Sequence, residues 1–84
     1  MARRIRAAHA AGARRIEVVF DDGSVRVVDV APLLRGPIFG DIAADDEAFG
    51  RMFVDPQLHT VCWPGEIDLA PEVFEKLPDV SNIA

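Results

Sequence analysis

Few residues in this chain of 84 carry the chemistry of a catalyst. The only thiol, Cys62, stands inside the apolar run Val61-Cys62-Trp63, a setting that favours an inert packing role over nucleophilicity. His59 precedes it by three residues. On an extended strand that odd spacing sends the two side chains to opposite faces, so they do not meet within the strand. His9 is the only other imidazole, and no Cys/His spacing provides the ligand set of a zinc site. Asp45-Asp46-Glu47 puts three carboxylates in a row, but without the loop spacing that wraps a hard cation in oxygens; the run suits the capped start of a short helix. The glycines are dispersed as turn residues and form no phosphate-cradling loop. The residue types and spacings therefore nominate no catalytic residue, no metal ligand and no cofactor.

Charge carries more information. Arg3, Arg4, Arg6, Arg14 and Arg15 are five of the nine basic residues, and they read either as edge-strand charge that discourages aggregation or as a patch for phosphate or an acidic partner. Residues 1–35 hold a surplus of three positive charges and residues 36–84 a surplus of eight negative ones. A generally nucleic-acid-binding surface does not fit the acidic half. Asp68, just after the Trp63-Pro64-Gly65 turn, is the carboxylate to watch, as a cap or turn residue or as a partner-binding group.

These residues must be positioned by a small fold. The chain has room for one small core, which dimerisation would supplement. No apolar run reaches membrane-span length, no signal-peptide core follows the first arginines, and a lone cysteine forms no internal disulfide, so a soluble protein of the reducing cytoplasm is expected. The strongest structural signal is Ile16 to Val30, two β-branched runs around Asp21-Asp22-Gly23-Ser24, which predicts a hairpin. With Asp22-Gly23 as a two-residue loop, Phe20 pairs with Val25 and Val18 with Val27. Ile16, Val18, Phe20, Val25 and Val27 then share the core face, and Asp29 points to the core side in need of a partner. Arg3 to His9 adds an edge strand. Pro32 opens a single helical turn carrying Leu33 and Leu34, which Gly36-Pro37 stops, and Ile38 to Ile42 continues in irregular or extended form.

Met52 to Trp63 predicts a second hairpin around Pro56-Gln57, with Trp63 buried and its indole N–H bonded to a carbonyl of the loop from Pro64 to Ile67. Asp68 to Leu77 ends in a helix whose apolar stripe is Val73, Phe74 and Leu77. The expectation is an α+β fold over residues 1–78: a small antiparallel sheet of three N-terminal strands plus a C-terminal hairpin, one or two short helices on one face, and a frayed tail at 79–84.

In order along the chain, Phe20-Asp21-Asp22-Gly23, Val28-Asp29-Val30, Trp63-Pro64 and Asp68-Leu69-Ala70-Pro71 resemble the signatures of the prokaryotic domain of unknown function 2442. The likeness runs through most of the chain. Where that family usually has Leu-Tyr, this sequence has Val73-Phe74 and lacks the hydroxyl. The signature residues Phe20, Asp22, Gly23, Asp29, Trp63, Pro64, Asp68 and Pro71 are those already assigned to turns, caps and core. The resemblance implies a bacterial protein without established activity, often one half of a two-gene module of toxin-antitoxin type. The reading that follows is a non-catalytic interaction module with a protein partner, encoded by a neighbouring gene, or a second copy as a homodimer. The alternatives are nucleic-acid binding through the arginines, and an enzyme using Asp68, His59 or Cys62.

Overall fold

The computed structural model describes residues 3–65 and 67–80. Three strands open the fold, β1 (Ile5–Ala10), β2 (Arg15–Phe20) and β3 (Val25–Asp29), pairing antiparallel in the order β1-β2-β3 with β1 at an edge as expected. Ile16, Val18 and Phe20 alternate inward along β2 and are buried.

The register of β3 differs from expectation by one residue. Val19 faces Val25, Val18 faces Arg26 and Ile16 faces Val28. The cause lies in the turn: Phe20 N–H bonds the Ser24 carbonyl and Gly23 N–H bonds the Phe20 carbonyl, so Asp21, Asp22 and Gly23 form a three-residue loop with Gly23 left-handed at φ +88°. A slip of one turns every side chain of the strand over. Val28 is therefore buried, Val25 is exposed, and Arg26 lies opposite Val18 and reaches the Leu77 carbonyl at 2.7 Å. Asp29 faces outward instead of toward the core, and its carboxylate accepts the Ala31 N–H at 3.0 Å.

A 3₁₀ turn at Ala31–Leu33 buries Leu34 as foreseen, but Gly36-Pro37 starts a helix and does not merely stop a turn. That helix, α1 (Gly36–Ala44), replaces the irregular stretch expected there. Pro37 sits in its first turn, where a missing N–H costs nothing, and Phe39, Ile42 and Ala43 at helical spacing pack on the core. Next comes α2 (Asp46–Gly50), capped by the Asp45 carboxylate accepting the Glu47 N–H.

The second sheet is a meander of three short strands, β4 (Phe53–Val54), β5 (Val61–Trp63) and β6 (Ile67–Asp68), a strand more than the expected hairpin. The C-terminal helix α3 (Val73–Lys76) is a single turn burying Phe74. Both sheets and the helices share one core, centred on Trp63, Phe20, Phe49 and Phe74. Trp63 Nε1 donates to the Phe49 carbonyl at 2.9 Å, at the end of α2, and not to the turn that follows it. Asp79 and Val80, placed by the sequence in a frayed tail, instead bond Val27: the Asp79 carboxylate accepts its N–H and the Val80 N–H donates to its carbonyl. Residues 81–84 of that tail lie outside the described residues.

Candidate functional site

The second sheet turns one face inward and one outward. Val61 and Trp63 point to the core, while the pairing of Phe53 with Cys62 and of Cys62 with Asp68 lays these three side chains in a row across the outer face. The loop from β4 to β5 is built on Asp55, whose Oδ1 accepts the N–H groups of Gln57 and Leu58 at 2.7 and 3.0 Å. Those bonds hold its carboxyl below the usual range. His59, left-handed at φ +55°, closes the loop by donating its N–H to the Asp55 carbonyl and accepting from Ile5 N–H. Thr60, which sequence reasoning overlooked, is buried and ties the loop down by donating from Oγ1 to the Leu69 carbonyl at 2.5 Å.

The result is a groove of about 350 Å³ along the outer face. Phe53 and Leu58 form its apolar wall, 43% and 55% exposed, and Asp55 and Asp68 its acidic border. No cationic side chain lines it among the described residues. The Asp68 carboxylate makes no hydrogen bond or ion pair among the described residues, although its backbone pairs with Cys62. It sits on β6 and neither caps α3, whose first turn follows Glu72, nor bonds the turn before it. Cys62 forms the covered floor. Burial, with Asp55 and Asp68 nearby, pushes its thiol above the ordinary value, the reverse of nucleophile activation. His59 lines a different depression, of about 410 Å³, with Arg4, Arg6, Asp21 and Asp55. No group of three His, Cys, Asp or Glu side chains is arranged to hold a metal among the described residues.

The N-terminal arginines divide. Arg3 lies over the Phe20 ring, its Cζ 4.2 Å from the centroid, and bonds Asp22 and Glu75 at 3.1 and 3.0 Å. Arg14 lies 5.1 Å over the Phe49 ring, donates from Nε to the Ala43 carbonyl at the end of α1, and pairs with Asp46 at 2.6 Å. Both are internal clamps. Arg15 pairs across from Asp29 and is half-buried, whereas Arg4 and Arg6 are exposed on the rim of the second depression. The five arginines are thus not one patch, and Asp68 belongs to neither part of them.

The remaining signature residues have structural posts: Phe20 under Arg3, Asp22 and Gly23 in the turn from β2 to β3, Asp29 at the end of β3, Trp63 in the core, Pro64 in the turn from β5 to β6, and Pro71 accepting from Phe74 N–H ahead of α3. No curated protein and no solved structure matches the chain. A sequence-family model described as protein of unknown function (DUF2442) matches residues 5–77, from the first strand to the end of the last helix, and the chain belongs to that family.

Proposed function

We propose that the protein is a non-catalytic interaction module that binds a basic protein partner on the outer face of its second sheet. The observation that carries this reading is the groove: two exposed apolar side chains bordered by two carboxylates, on the half of the chain with a surplus of eight negative charges. Exposed apolar surface rimmed by charge marks an interaction site, and a single sign of charge selects a partner of the opposite sign. The thiol on the groove's floor is covered and held above its ordinary value, and His59 lines the other depression, which favours binding over nucleophilic catalysis. The family resemblance adds a bacterial setting and an antitoxin-like role beside a partner from a neighbouring gene.

Affinity capture from the native host with quantitative mass spectrometry tests it, with Asp68→Lys as control. The expected result is a basic protein retained at low salt by the natural chain and lost with the variant. Recovery of the same proteins with both, or of none above background, overturns it. A nucleic-acid role through Arg4 and Arg6 predicts a salt-sensitive retardation of DNA or RNA that weakens when both become Ala. Asp21 and Asp55 on the same rim argue against it.

A further inference from the structure

We infer that the groove takes an arginine of the partner, its guanidinium seated on the Phe53 ring between Asp55 and Asp68, with an adjoining apolar side chain against Leu58. This deepens the interaction reading above and rests on it.

The chain itself supplies the template. Twice it builds the same cradle, a phenylalanine ring bordered by carboxylate, and twice an arginine of its own fills it: Arg3 over Phe20 with Asp22 and Glu75, and Arg14 over Phe49 with Asp46. Phe53 with Asp55 and Asp68 repeats those components on the surface, with no arginine or lysine of the chain among its described lining residues. Charge complementarity then names the occupant. A cation over a phenyl ring is drawn to the negative face of its quadrupole, and more strongly where water is displaced.

Arginine fits better than lysine for two reasons. Its planar group stacks on a ring, and its fork reaches two separate acceptors at once. Both acceptors are present and free in complementary ways. The Asp68 carboxylate has no bond among the described residues, and the two loop amides engage only Oδ1 of Asp55, so that its Oδ2 carries no hydrogen bond among them. The exposed Leu58 beside the cradle gives the occupant's neighbouring residue an apolar seat.

The test uses the full chain and three blocked tripeptides, leucine flanking arginine, lysine or the uncharged isostere citrulline, followed by amide chemical shifts. The arginine peptide is expected to move Phe53, Leu58, Cys62 and Asp68, to bind about threefold more tightly than the lysine peptide, and to lose at least about threefold with Asp68→Asn or Phe53→Leu. Citrulline binding as tightly as arginine, or shifts confined to other residues, overturns the proposal. So does the same set of shifts on raising the protein concentration with no peptide, which would make a second copy the occupant. The two readings separate in the capture experiment. A basic partner lost with Asp68→Lys but retained by Phe53→Leu and Asp68→Asn leaves the interaction module standing and overturns the arginine cradle.

Discussion

At Asp22 three donors converge on one carboxylate: the Ser24 hydroxyl at 2.6 Å, the Ser24 amide at 2.9 Å and the Arg3 guanidinium at 3.1 Å. All three favour the charged form and lower its pKa from 3.8 to about 2, the Ser24 hydroxyl contributing most. Glu75, held by Arg3, is lowered from its ordinary 4.5 in the same direction. A depressed folded pKa means that the stabilisation is complete above the ordinary carboxylate value and disappears as pH falls through the folded one. Denaturant midpoints are therefore expected to hold steady down to about pH 4.5 and to fall between there and pH 2. Asp22→Asn should flatten that acid limb. A fall of equal steepness in the variant would mean that other carboxylates govern it.

The turn between β2 and β3 decides how the opening sheet is built. Gly23 is left-handed, and a Cβ added there would meet nothing within 4 Å, so the cost of Gly23→Ala is conformational and not steric. Urea denaturation is expected to show a loss of about 1 kcal/mol for Gly23→Ala, and less for Gly23→Asn, since asparagine tolerates that conformation. A loss of several kcal/mol would point to a change of register. The hairpin was legible in the sequence and its loop length was not. Asp21-Asp22-Gly23-Ser24 serves a two-residue or a three-residue loop, and the difference turns β3 over while leaving β2 alone. Helix α1 was hidden because Gly36-Pro37 stops one element and starts the next with the same residues, although Phe39, Ile42 and Ala43 already stood at helical spacing. Of the site, Asp68 was legible as a carboxylate to watch, read as a cap or turn residue or as a partner-binding group, although it stands on β6 and caps nothing. Phe53 was not legible, because two adjacent apolar residues on a two-residue strand carry no alternation to say which faces out. The partners of Arg3 and Arg14, up to 72 residues away, leave no local trace at all.

Across the whole molecule the ends of the described chain are fastened to the first sheet. Val27, on the edge strand β3, gives its N–H to Asp79 and its carbonyl to Val80, so those two residues act as a short cover for an edge that would otherwise be open to pairing with another chain. A chain ending at Leu77 is expected to keep its fold, to lose about 1 kcal/mol, and to exchange the Val27 amide about tenfold faster, as hydrogen exchange followed by NMR would reveal. Unchanged exchange at Val27 would show that the cover does not persist in solution. Arg3, meanwhile, clasps Glu75 across 72 residues of sequence. In a polypeptide synthesised from its N-terminus, that arginine is made 72 residues ahead of its partner, so the clasp can close only after Glu75 has left the ribosome. The β2–β3 hairpin can pair early, but the fastening of the first sheet to α3 waits for that helix, which makes it a later event of folding on the ribosome.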